Sequence, residues 1–122
     1  MPSLDVKDFH TVDDGVTEYL SSAIETRSDW DFLIGHMLGV DHIGHTFDIH
    51  SKEMLEKLKQ MNDVIRDTAE KLAAKAANGE EYRRSLLLVM GDHGQTASGE
   101  HGGDTEEEVS TVMMACNLNP EH

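Results

Sequence analysis

The chain has a single cysteine among its 122 residues, Cys116. That count excludes an internal disulfide and a thiolate zinc cluster. Cys116 sits in an apolar run, which fits a buried structural thiol. Long apolar runs are also lacking. The longest, Leu86–Met90 and Val112–Cys116, fall far short of the roughly 20 residues a membrane helix needs. Met1-Pro2-Ser3-Leu4-Asp5 has no basic stretch leading into an apolar one, so no signal peptide is expected. No Asn-x-Ser/Thr acceptor is present. Cations are scarce: ten Lys and Arg stand against 24 Asp and Glu, for a formal charge of −14. A phosphate backbone would be repelled, which argues against nucleic acid as a partner. The excess suits a protein that gathers cations, although most surface acids serve solubility alone.

No repeat or low-complexity segment interrupts the chain, and its length fits at most one domain. Residues 11–25 read as a helix. Thr11 with Asp14 three residues on is a capping-box pattern, and Val12, Val16, Tyr19, Leu20 and Ala23 share a face. Trp30-Asp31-Phe32-Leu33-Ile34 reads as a short buried strand. Residues 51–77 form the strongest helical pattern, with Ser51 as N-cap and Asn78-Gly79 as the stop. Met54, Leu58, Met61, Ile65, Ala69, Leu72 and Ala76 recur at helical spacing as core packing, while Lys and Glu on the other face read as solvated. Leu86–Met90 reads as a central strand of a parallel-type sheet, and Val109–Cys116 as another strand. The alternation predicts an α/β layered sheet with helices packed on it.

Two glycine-rich segments carry the chemistry. One is Gly39-Val40-Asp41-His42-Ile43-Gly44-His45. The other is Gly91-Asp92-His93-Gly94, followed by Glu100-His101-Gly102-Gly103-Asp104. Each follows a predicted strand, where ligands of open α/β sheets gather. Asp and His are ligands for divalent metals, and the three histidines tilt the choice toward zinc or manganese over magnesium or calcium. If the first segment is helical, Asp41 and His45 lie on one side. The polar loop Gln95–Glu100 can fold His101 back over a metal. The glycines are expected to let the backbone turn sharply around the Asp-His pairs. Either pair alone would more often be a hydrogen-bonded loop feature. His36, His42 and His50 lie near the first segment and read as packed or solvent-facing, and His10 and His122 have no context.

These segments resemble the alkaline-phosphatase superfamily, and more narrowly the GPI ethanolamine phosphate transferases. Gly99-Glu100-His101-Gly102-Gly103-Asp104-Thr105-Glu106-Glu107-Glu108-Val109-Ser110 and Val6-Lys7-Asp8-Phe9-His10-Thr11-Val12-Asp13-Asp14-Gly15-Val16 are similar to the third transferase of that pathway. The resemblance implies part of an alkaline-phosphatase-like layered sheet, with residues 1–122 as the carboxyl-terminal part of one phosphotransferase catalytic domain. It also implies a two-zinc site. Asp41, His45 and His101 match the ligands of one metal, and Asp92 and His93 match two ligands of the other. The family completes the second metal with an aspartate and a nucleophilic threonine upstream of this segment, so little turnover is expected from these residues alone.

The implied reaction has two steps. A threonine attacks the phosphorus of phosphatidylethanolamine, and a mannose hydroxyl of the GPI precursor then takes the phosphoethanolamine group. The implied location is the endoplasmic reticulum membrane, with a lumenal catalytic domain in a multi-pass protein. The alternatives are a non-catalytic metal-binding fragment and a soluble phosphatase or phosphomutase of the same superfamily.

Overall fold

A computed structural model describes residues 8–26, 30–79 and 82–118. Helix α1 spans Thr11–Thr26, α2 Gly39–Phe47 and α3 Lys52–Asn78. Strand β1 (Leu86–Met90), the single turn α4 (Glu106–Val109) and strand β2 (Met113–Asn117) follow. The architecture is mixed helix and strand, as the sequence predicts, but the distribution differs.

Helix α1 starts at Thr11, and Asp8, not Thr11, closes its first turn. The Asp8 carboxylate accepts from the backbone N–H groups of Thr11 at 2.8 Å and His10 at 3.2 Å. These bonds hold the Asp8 carboxyl below its ordinary value of 3.8. The inward face carries Asp13 and Ile24, while Tyr19, expected on it, is exposed. Helix α3 starts at the predicted cap, with the Ser51 hydroxyl accepting from Met54 N at 3.1 Å. Its stop is also where Asn78-Gly79 predicts, but Gly79 is extended rather than left-handed (φ −158°). The Asn78 amide instead donates to the freed Ala74 carbonyl. Met54, Leu72 and Ala76 of the apolar stripe are buried, whereas Leu58 is exposed.

Trp30–Ile34 is not a strand among the described residues. Phe32 and Ile34 point outward, 88% and 84% exposed, while Trp30 and Leu33 pack on the core. That core joins Ile24 of α1, Leu72 and Ala76 of α3, and Tyr82, with Leu87 of β1 and Leu118 against it. The Tyr82 hydroxyl donates to the Ile24 carbonyl at 2.8 Å, which satisfies the polar tip of a buried ring.

β1 forms where predicted, but its partner among the described residues is β2, and the pairing is antiparallel, with Leu88 opposite Ala115. Leu86, Leu88 and Met90 are exposed on one face. The strand predicted from Val109 starts instead at Met113. A capping box between Thr105 and Glu108 turns Glu106–Val109 into helix first. Cys116 is half-buried. No helix of the described residues is long and apolar enough to cross a membrane.

One buried feature contradicts the expectation of a solvated Lys/Glu face on α3. Lys57 is 2% exposed and pairs with Asp13, 1% exposed, at 2.9 Å. Gln60 accepts a second bond from Lys57 at 2.9 Å. A buried charge pair is tolerated when its remaining hydrogen-bonding capacity is filled; removing one partner costs about 3–5 kcal/mol.

Candidate metal centre

Helix α2 carries Asp41 in its first turn and His45 in its last. A spacing of four residues sets both on one face. An anionic side chain in the first turn is also favoured by the helix dipole. The loop after β1 supplies the third group. Thr96 N donates to Glu100 O, Gly99 N to Thr96 O and Glu100 N to the Thr96 hydroxyl. This tight turn returns His101 to Asp41, with Nε2 3.1 Å from Asp41 Oδ1; His45 Nε2 lies 3.5 Å from the same oxygen.

The loop docks on α2 because two glycines meet. Gly99 has φ +83°, and a Cβ there would fall on the Gly44 carbonyl. A Cβ on Gly44 would in turn fall on the Gln95 amide. Gln95 Nε2 donates to Asp41 Oδ1 at 2.9 Å. The chain bends at Asp92 and His93 as expected, but Gly91 and Gly94 are not in the left-handed region that would itself require glycine. At Gly94 the reason is close approach, since a Cβ would overlap the Glu107 carbonyl of α4.

Asp41, His45 and His101 each offer a ligand atom, and these atoms lie within 4.8 Å of one another. Ligands held about 2.1 Å from a tetrahedral cation are about 3.4 Å apart. The observed 3.1 and 3.5 Å separations suit that geometry, and one carboxylate with two imidazoles suits zinc or manganese. Glu100 Oε2 lies 4.0 Å from His45 Nδ1, on the far side of the ring from the cluster. Carboxylates in that position orient metal-bound histidines.

Asp92 and His93 sit just beyond β1. The His93 ring stacks on His101, with centroids 3.9 Å apart and planes at 29°, so the two segments meet. His93 Nδ1 is 2.9 Å from the Gly94 carbonyl. The carbonyl can only accept, so Nδ1 carries the proton and Nε2 is left as the ligand atom. Asp92 is more open: its side chain is 64% exposed, 3.9 Å from His93 Nε2 and 3.4 Å from His36 Nε2. Burial pushes its carboxyl up, but its own backbone N–H, His93 and His36 outweigh that and leave it below the usual 3.8. Among the described residues Asp92 and His93 do not belong to a group of three close ligand atoms.

Of the other histidines, His42 is turned away from the cluster, its Nδ1 3.1 Å from the Asp8 carbonyl. His50 is exposed, and His10 lies 3.4 Å from Lys57 Nζ; His122 lies outside the described residues. His36, which the sequence placed near the first segment as a packed or solvent-facing group able to line a pocket, lies beside Asp92; the role of Gln95 is one that residue patterning did not single out. Gln95 directly follows Gly91-Asp92-His93-Gly94, which was the available signal.

An α/β scaffold presenting an Asp-His-His cluster beside an Asp-His pair defines a candidate divalent-metal hydrolase or transferase centre. The sequence profile of the family described as "Type I phosphodiesterase / nucleotide pyrophosphatase" matches residues 3–111, and the chain belongs to this family. It is 45% identical over 113 residues to the human "GPI ethanolamine phosphate transferase 3, catalytic subunit", a match covering 93% of this chain and 10% of that protein. It is 34% identical over 121 residues to "GPI ethanolamine phosphate transferase 3" of Saccharomyces cerevisiae, covering 99% and 11%. Against the human "GPI ethanolamine phosphate transferase 2, catalytic subunit" it is 38% identical over 109 residues, covering 89% and 11%. The chain thus spans about a tenth of the length of these curated relatives. No solved structure matches.

Proposed function

We propose that this chain forms part of the catalytic domain of a GPI ethanolamine phosphate transferase of the third type. Such an enzyme transfers phosphoethanolamine from phosphatidylethanolamine to a mannose of the GPI anchor precursor. The observation that carries the reading is the convergence of Asp41, His45 and His101 beside His93, in a chain whose matched relatives are named for this activity.

In this reading Asp41, His45 and His101 hold one cation, zinc or manganese, and Asp92 and His93 give two ligands to a second. Bound cations of this kind polarise a phosphoryl oxygen and favour deprotonation of an attacking hydroxyl. The chain's own part is to hold the donors ready. Gln95 fixes the Asp41 carboxylate, and the Gly94 carbonyl fixes the tautomer of His93. The nucleophilic threonine is contributed from outside these residues. So is the rest of a layered α/β sheet, which would cover the exposed Leu86, Leu88 and Met90 face of β1 and the outward Phe32 and Ile34. The catalytic domain would face the lumen of the endoplasmic reticulum.

The test is a graft. Residues 8–118 replace the matching segment of the human transferase 3 catalytic subunit in cells lacking it. Restored GPI-anchored protein at the cell surface is expected, and its loss with Asp92→Ala in the graft. An expressed wild-type graft that restores nothing would sink the proposal. The isolated chain is expected to show no transfer from phosphatidylethanolamine.

A further inference from the structure

Helix α2 begins without a cap of its own. Its N-cap residue is Leu38, whose side chain cannot accept a hydrogen bond. The first N–H groups of a helix have no partner within the helix, and leaving them buried and unsatisfied is costly. Asp13, 25 residues upstream on α1, fills the gap. Its Oδ1 accepts from Leu38 N at 2.8 Å, and both of its oxygens lie 3.2 Å from Gly39 N. Lys57 of α3 then holds Oδ2 at 2.9 Å, and Gln60 holds Lys57 in turn. The arrangement needs Gly39: a Cβ there would fall on the Asp13 carboxylate and against the end of Lys57. Three helices therefore meet at one buried charge pair, two residues before Asp41.

We propose that Asp13 and Lys57 are positioning residues for the metal centre, setting the start of α2 so that Asp41 and His45 face His101. This rests on the metal-centre reading above. Neither side chain touches the ligand cluster, and their effect passes through the backbone of Leu38 and Gly39. A nine-residue helix has little rigidity of its own. Its far end is held by Asp48, which turns with φ 74° and accepts from His50 N. With Asp13 lost, the N-terminal turn that carries Asp41 is the end free to fray.

The test uses the full chain and zinc alone, with Co2+ as a spectroscopic stand-in. Asp13→Asn/Lys57→Met removes both charges together, so that neither is left buried without its partner. Leu72→Ala weakens the core at the other end of α3 without touching α2. The double variant is expected to bind zinc about tenfold more weakly, the scale on which groups supporting metal ligands act. It is also expected to lose slow hydrogen exchange at the Leu38 and Gly39 amides and to alter the visible Co2+ band. Leu72→Ala is expected to stay within about twofold, as a site remote from the ligands should. If circular dichroism shows the double variant unfolded, Asp13→Asn alone keeps one capping oxygen, and the same direction is expected. Wild-type zinc affinity in a folded variant overturns the proposal. Asp41→Ala separates the two levels: unchanged zinc binding there would overturn the metal-centre reading, whereas loss there with none in the Asp13 variants would overturn only the positioning role.

Discussion

Asp41 and Asp92 stand in similar sequence settings, each followed by histidine and flanked by glycine, yet their surroundings differ. Asp41 is 30% exposed at the side chain and accepts from Gln95, with two imidazole nitrogens within 3.5 Å. Asp92 is 64% exposed and sits past the end of a strand that has one neighbouring strand among the described residues. The first carboxylate rides on a helix held at one end by the Asp13–Lys57 pair and along its side by Gly99 and Gln95. The second has no comparable support among the described residues. The difference teaches that a motif presents ligands only as well as the elements under it are braced.

The sharpest break of that comparison is Asp41→Ala. Removing a direct ligand should exceed the 10–100-fold loss typical of supporting groups, so zinc affinity by chelator competition is expected to fall more than about 100-fold. Next is Gly99→Ala. A left-handed backbone and overlap with the Gly44 carbonyl should cost about 1–3 kcal/mol, read by urea denaturation, together with weaker zinc binding. A stability change within error would mean that the loop does not dock on α2. Gln95→Leu keeps volume but removes the bond to Asp41, and about a tenfold loss of zinc affinity is expected. Asp92→Ala should leave the first zinc within about twofold; an effect as large as that of Asp41→Ala would merge the two groups into one site.

The smallest expected effect is a pH dependence at the α4 cap. The Thr105 hydroxyl and the Gly103 N–H hold the Glu108 carboxyl below its ordinary 4.5. A lowered folded value means that the cap's contribution is complete above pH 4.5 and is lost as pH falls through that lower value. The Gly103 amide signal should follow that titration, and Glu108→Gln should flatten it.

Much of this was legible locally. The Ser51 cap, the span of α3 and the apolar strand at 86–90 follow from short-range rules, because helix periodicity and capping depend on neighbours within four residues. The four-residue spacing that sets Asp41 and His45 on one side of a helix was legible for the same reason. Trp30–Ile34 was misread because an apolar pentapeptide does not say whether a ladder partner is at hand. Lys57 was misread because lysine reads as a solvated residue even between Met54 and Met61 of the apolar stripe, while its partner, Asp13, lies 44 residues away.

The sequence by itself determined the ligand types, their glycine-flanked settings and the four-residue spacing of Asp41 and His45; that the segment is a helix came from the structure. Only the tertiary structure decided that His101 closes on that pair and that His93 stacks beside it. The same holds for Gln95 holding the Asp41 carboxylate and for a carboxylate from α1 capping α2. Most of those contacts join groups far apart along the chain. Residue patterning cannot rank such pairings, because their free energy depends on the burial and the fixed distances that packing alone creates.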